Sequence, residues 1–409
     1  METEKHPSTV EIDPRRQERA RQYARLRRRL FVAELGIGGL YLLAMLVGSG
    51  SERLKIAATA LSPEIIVVVG LYFVVLDLGY AALLFPLSLF GGFVLPTYFG
   101  LSTQRFVSWL FDWAKGICIA LVFGLVLIEI LYYFLTTMPA YWWLAMSLII
   151  LLFTVVLSNL APIVLVPLFY RLTPLKDRAL AQSLVRMAER SRTSVRGVWV
   201  MNLSSKTTAA NAALMGLGNT RRIVLGDTLL DRYDSDEIET IFAHELGHHV
   251  HADIPKMIAE QSIVTLVGLY VVDFAASWTA GKLGYSSLAD VAMLPLLALV
   301  FAIFALFALP IANTFSRSLE RQADEYALEF TGKAQAFKQA MIKLANQNLA
   351  ELDPAGWVEF VFYDHPSVGK RIRLAEHFAL VRQSGNALPG KHPGKLSGTD
   401  QSDVGGNGL

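Results

Sequence analysis

Six stretches of this chain are each long and apolar enough to cross a bilayer, and no other feature restricts its fold so severely. They run over residues 31–50, 65–84, 116–136, 142–168, 258–280 and 289–311, and a hydrocarbon core requires about 20 mostly apolar residues per helix. Inside lipid every backbone polar group must be satisfied within its own element, so these segments are predicted to be helices. The boundary after the second is open. Apolar character continues through "LLFPLSLFGGFVLP", so residues 85–100 are expected to form a re-entrant or interfacial piece or a further short span.

Charge sets the orientation. Eight arginines lie between residues 15 and 29 in "RRQERARQYARLRRR", which places the N-terminal side in the cytoplasm by the positive-inside rule. The apolar stretch behind them is longer than a signal-peptide core, and no A-x-A cleavage pattern follows it, so no cleaved signal is expected. The loops that alternation puts outside carry few cations: Arg53, Lys55 and Lys282. Residues 169–257 and the chain after 312 carry many, and six spans with both ends inside satisfy the rule. Net charge is +2, which offers no case for a nucleic-acid partner. The single cysteine, Cys118, lies in an apolar run, so any metal must be held by histidine and carboxylate. From "RQSGNALPGKHPGKLSGTDQSDVGGNGL" the tail, 381–409, is expected to be disordered.

The polar segment "RYDSDEIETIFAHELGHHVHADIPK" contains the chemistry. Asp234 or Ser235 can cap a helix, and Glu237 stands where a capping box needs it. On that helix His244 and His248 are four apart, hence on one face and able to reach one ion. Glu245 completes H-E-x-x-H, in which two histidines bind zinc and the glutamate is general base. His249 faces away and is expected to pack or be solvated. His251 could approach the same face, with a role behind the ligands or at the surface.

A catalytic zinc needs a third protein ligand. Glu320 and Asp324, four apart in "SRSLERQADEYALEF", offer one carboxylate for the metal and another for the N–H of a ligating histidine. His248 lies about ten residues before the fifth span and Glu320 about nine after the sixth, so a transmembrane hairpin returns them to the same depth. Upstream, "GVWVMNLSSKTTAANAALMGLGNTRRIVLGDTLLD" reads as short strands around a turn at Gly218 and Asn219. A strand beside the zinc helix can offer an edge to an extended peptide. Glu34, Asp77, Glu129 and Asp273 lie within the spans and are expected to face a polar interior between helices or to lie near an interface. Tyr141, Trp142 and Trp143 match an interfacial aromatic belt.

These residues resemble the M48 metallopeptidases, and more closely their Ste24 CAAX prenyl protease branch than the shorter HtpX branch. The resemblance rests on "PLFYRLTPLKD", "SSKTTAANAALMGLGNTRRIVLGDTLL", "HELGHHVHAD", "SRSLERQADEYA" and "FYDHPSVGKRIR", in that order. It implies one zinc ion at His244, His248 and Glu320, Glu245 as catalytic base, and Asp324 behind a ligand. It also implies Asn211 in the substrate-binding edge strand, with His365 and Arg371 near the zinc, His365 stabilising the oxyanion. A chamber enclosed by membrane helices is a further implication. The chain departs from the pattern at Ala213, where the family has an aromatic, at His249, where it has tryptophan, at "PTYFGLST", and in having six spans where eukaryotic members usually have seven.

The fold class that follows is an all-α polytopic membrane protein of about six transmembrane helices with a cytoplasmic α+β, gluzincin-like zincin domain. Its expected parts are a basic arm at 1–30, four spans over 31–168, and a peptidase domain over 169–380 that includes the hairpin 258–311. The expected activity is zinc-dependent cleavage of peptides or membrane-associated proteins, prenylated ones among them, at the cytoplasmic face of a multi-pass membrane, of bacterial inner-membrane type. The rival readings are a site-2-type intramembrane protease, against which the polar flanks "SDEIET" and "HADIPK" speak, and a scaffold or transporter with a structural zinc.

Overall fold

The computed structural model describes residues 11–216 and 221–384; the turn expected at Gly218 and Asn219 and nearly all of the 381–409 tail lie outside them. The chain opens with α1 (Pro14–Val47), α2 (Gly50–Leu61), α3 (Ile65–Leu89), α4 (Leu95–Tyr98), α5 (Phe106–Thr137), α6 (Trp142–Leu160) and α7 (Val166–Phe169). A small sheet domain follows with β1 (Leu172–Pro174), α8 (Arg178–Arg190), β2 (Val198–Met201), β3 (Ala212–Met215), β4 (Arg222–Gly226) and α9 (Asp227–Leu230). Then come α10 (Ser235–Val250), α11 (Asp253–Lys282), α12 (Leu294–Thr331), α13 (Ala334–Asn348), α14 (Gly356–Phe362) and α15 (Val368–Gln383).

Among the described residues six helices are long and apolar enough to cross a membrane: Pro14–Val47, Ile65–Tyr98, Phe106–Thr137, Trp142–Phe169, Asp253–Lys282 and Val291–Thr331. Four contain one of the six apolar stretches whole, while Pro14–Val47 and Val291–Thr331 cover all but the last three residues of 31–50 and the first two of 289–311. Residues 85–100 are neither re-entrant nor a separate span. They continue α3 through a π turn at Phe90–Val94 into α4, one turn after Pro86 removes a backbone donor from the helix. The arginines at 15–29 lie in the first turns of α1.

That end of α1 is anchored to the end of α13 and the segment after it. Arg16 donates to the carbonyl of Asn346 at 2.6 Å, Gln17 donates to the carbonyl of Ala350 at 3.1 Å and accepts from the Leu352 amide at 3.0 Å, and Arg28 pairs with Glu351 at 3.4 Å. At the far end of the bundle Lys55 pairs with Asp290 at 2.5 Å and Ser51 donates to the carbonyl of Ala292 at 2.6 Å, tying α2 to the loop before α12. Trp142 corrects the aromatic-belt expectation. It is buried between spans and donates from Nε1 to Asp273 at 2.6 Å, which also gives that intramembrane carboxylate its partner.

The sheet has the order β1-β2-β4-β3, with β2 and β4 parallel and the other pairs antiparallel, so β3 is an edge strand. Its core is apolar: Leu184 of α8, Ile223 and Leu225 of β4, Phe242 and Leu246 of α10, Leu328 of α12 and Phe337 of α13 are all fully buried in one cluster. Side chains alternate in β4 and recur at i, i+4 in α10, so the core fixes both the register of the sheet and the rotation of the helix that carries the histidines.

Candidate metal centre

The N-terminus of α10 is closed by a capping box. Asp234 accepts from the Glu237 amide and Glu237 from the Asp234 amide, each at 2.9 Å, satisfying two donors the helix would otherwise leave free. With the start of α10 fixed and Phe242 and Leu246 in the core, His244 and His248 point away from the sheet and toward α12. Gly247 sets how closely the two helices approach. A Cβ there would lie 3.0 Å from Ala323 Cα and 3.2 Å from its carbonyl oxygen, so any larger residue would push the two helices apart.

The approach brings three donors together. Nε2 of His244 and Nε2 of His248 are 3.2 Å apart, and the Glu320 carboxylate faces both, at 3.3 Å from the first and 3.4 Å from the second. The three ligand atoms lie within 4.8 Å of one another. Glu320 Oε2 is buried and has no hydrogen-bond partner; its 3.3 Å approach to His244 is electrostatic, without hydrogen-bond geometry. A buried carboxylate that faces two imidazole nitrogens and has one oxygen without a donor fits a cation, and a His₂Glu set suits zinc.

The outer nitrogens of both imidazoles are held by carboxylates. His244 Nδ1 is 2.9 Å from Asp324 Oδ1, and His248 Nδ1 is 2.9 Å from Asp253 Oδ2. A carboxylate on Nδ1 fixes the tautomer that leaves the Nε2 lone pair free. Burial alone would lower the His244 pKa, but the carboxylates of Asp324 and Glu320 beside the ring outweigh it and raise it to about 9.

Glu245 is half-buried beside the first histidine. Burial raises its carboxyl above the ordinary range, while His244 and His248 pull the other way, a setting in which a carboxylate holds a proton more readily than in water. His365 reaches the group from the loop before α15: its Nε2 is 3.2 Å from Glu320 Oε1 and its Nδ1 is 2.9 Å from Asp364, with half its side chain exposed. Arg371 stands behind the first ligand, its Nη2 3.4 Å from His244 Nδ1. It grips Asp324 with two bonds, Nε to Oδ2 at 2.8 Å and Nη2 to Oδ1 at 2.5 Å, and is largely buried.

Asn211 is exposed just before β3, and its carbonyl accepts from the Gly226 amide at 2.9 Å. That bond and the β3–β4 register make 211, 213 and 215 the hydrogen-bonded positions, so the backbone groups of Ala212 and Leu214 point to the open edge. His249 faces this strand, as its position opposite the ligand pair requires, and its imidazole bonds the backbone of Leu214. His251 packs edge-on against Tyr326 and is not part of the donor group. Sequence reasoning missed Gly247 and Asp253. The glycine inside the motif was a usable signal for a close helix contact, whereas Asp253 lies five residues after His248 and no helical periodicity points to it.

A membrane-spanning helical body joined to a small sheet domain whose H-E-x-x-H helix meets a downstream glutamate defines a membrane metallopeptidase. The family model for peptidase family M48 matches residues 174–379, half of the chain, and the model for the CAAX prenyl protease N-terminal region, described as five membrane helices, matches residues 2–171. The chain belongs to peptidase family M48, whose members are zinc metallopeptidases. Among its relatives, the uncharacterized metalloprotease YhfN of Bacillus subtilis is 29% identical over 87% of this chain and 84% of its own length. CAAX prenyl protease 1 of Saccharomyces cerevisiae is 26% identical over 73% and 70%, and the homologue from Oryza sativa 27% identical over 71% and 69%. The crystal structure of Ste24p from S. mikatae superposes with a TM-score of 0.79 at 22% identity, covering 91% of this chain and 92% of that one, so the fold is shared.

Proposed function

We propose that the protein is an endopeptidase of the Ste24 type that holds one zinc ion between His244, His248 and Glu320 and cleaves peptides or membrane-associated proteins near the cytoplasmic face. The observation that carries this reading is the convergence of three donor atoms within 4.8 Å from residues as far as 76 positions apart, with one carboxylate oxygen left without a donor. When bound, zinc supplies a Lewis acid for the scissile carbonyl and makes water a nucleophile at neutral pH. Glu245 takes the proton from the attacking water and returns it to the leaving amine. His365, exposed at the mouth of the site, donates to the oxygen that becomes negative in the transition state. Asp324 orients His244 and Arg371 holds Asp324, a positioning role that the guanidinium's geometry favours over direct contact with substrate. An extended peptide pairs with the open edge of β3 at Ala212, beside Asn211.

The Arg-rich end of α1 and the donor group stand on one side of the bundle, since Arg16, Gln17 and Arg28 bond to the end of α13 and the segment after it. With the positive-inside rule this supports a cytoplasmic site. The proposed organisation keeps an arm over 1–30, spans over 31–168 and a peptidase domain over 169–380 with its own hairpin. The names of the relatives that act on CAAX proteins support a prenylated protein substrate. The test is Glu245→Gln in the full chain, assayed on a prenylated and an unprenylated peptide with metal content measured alongside. Zinc retained with turnover lost by about 10²-fold or more is expected; cleavage at the wild-type rate by the variant sinks the base assignment, and equal cleavage of both peptides removes the requirement for a prenyl group.

A further inference from the structure

We infer that Asp253 is a positioning residue of the metal centre, holding His248 from the first turn of the fifth membrane helix and so tying the site mechanically to that span. The inference rests on the metal reading of His244, His248 and Glu320.

In a continuous α-helix, residue i+5 lies more than a quarter turn off the face of residue i, and Asp253 could not reach His248. The helix is not continuous. α10 ends at Val250, His251 closes its last turn onto Gly247, and Ala252 takes the left-handed conformation at φ 55° and ψ 46°. That is an unfavourable conformation for a residue with a Cβ and persists where surrounding structure demands it. The reversal starts α11 at Asp253 and swings its carboxylate back over the end of α10.

There Oδ2 meets His248 Nδ1 at 2.9 Å and Oδ1 accepts from Lys256 Nζ at 2.9 Å. Both oxygens are thus committed, and neither caps the free amides at the start of α11. The side chain is 1% exposed, and a carboxylate is buried this deeply at a cost unless its charge is used. The arrangement repeats what Asp324 does for His244 with a carboxylate from a different helix. One ligand is oriented by α12, which also carries Glu320, and the other by the start of α11, so a shift of α11 relative to α12 must rotate His248 against Glu320.

The test compares wild type with Asp253→Ala, Asp253→Asn, Lys256→Met and His248→Ala in the full chain in lipid nanodiscs. Zinc affinity is read by competition with a chromophoric chelator, and geometry by the visible spectrum of the Co²⁺-loaded protein. Asp253→Ala is expected to weaken zinc by about 10- to 100-fold and to shift the Co²⁺ bands, with Lys256→Met changing affinity by less than about threefold. Wild-type affinity and an unchanged spectrum in Asp253→Ala overturn the inference even if its melting temperature falls, because a merely structural role moves only the latter. Should Asp253→Ala not fold, the isosteric Asp253→Asn decides: a loss of about threefold or more supports the role, and wild-type affinity overturns it. Wild-type zinc affinity in His248→Ala refutes the metal site itself, which separates that failure from this one.

Discussion

Replacing Gly247 by alanine tests how tightly the spacing of two helices governs the metal centre. The added Cβ would stand 3.0 Å from Ala323 Cα, 3.2 Å from its oxygen and 3.3 Å from its Cβ, against an optimum of about 3.5–4.0 Å between carbon atoms. Relief therefore requires α10 and α12 to part by a few tenths of an ångström, and the obstacle is buried helix backbone, which cannot rotate aside. Such overpacking costs about 1–3 kcal/mol, partly offset by the roughly 1 kcal/mol that alanine gains over glycine inside a helix, leaving a net loss of about 0–2 kcal/mol. Metal geometry is less forgiving, since ligand distances hold to about ±0.2 Å, and α12 carries Glu320 while α10 carries both histidines. The expected result is a modest fall in melting temperature with a disproportionate loss of zinc affinity, about tenfold or more, measured by chelator competition. Gly116→Ala, where nothing lies within 4 Å of the added atom, should leave affinity unchanged. Wild-type affinity in a folded Gly247→Ala protein would refute the claim that this contact sets the site.

Two other outcomes follow from the same geometry. Arg371→Ala leaves the buried Asp324 carboxylate without its bidentate partner and should destabilise the protein by about 3–5 kcal/mol, with Arg371→Lys only partly restoring thermal stability because ammonium cannot make both bonds. Glu359 accepts from the Ser367 amide at 3.0 Å and from Lys370 at 2.7 Å; burial would raise its pKa, but these bonds lower it below the ordinary 4.5. A depressed carboxylate pKa stabilises the fold above 4.5, and that stability is lost as pH falls through the folded value, so hydrogen exchange at residues 363–367 should quicken in acid more in wild type than in Glu359→Gln.

Hydropathy alone located the six spans, because lipid tolerates only segments whose backbone is satisfied locally, and that requirement is written residue by residue. The four-residue spacing of His244 and His248 and the capping box at Asp234 and Glu237 were equally legible, since each depends on the geometry of one helix turn. Bringing Glu320 back to the histidines needed only the lengths of two spans.

Contacts between elements were not legible in this way. Whether residues 85–100 turned back or continued depended on a π turn following Pro86, and whether Trp142 lay at an interface or inside depended on its neighbour Asp273. The expectation that Arg371 acts near the zinc did not reveal that its guanidinium closes on Asp324. Asp253 is the sharpest case. Its distance in sequence from His248 argues against contact under any regular periodicity, and only the left-handed turn at Ala252, imposed where the metal helix meets the membrane helix, brings the two together. Local rules set which residues share a face; the packing of α10, α11 and α12 against one another decided which faces meet, because that choice minimises a sum over contacts that no single segment contains.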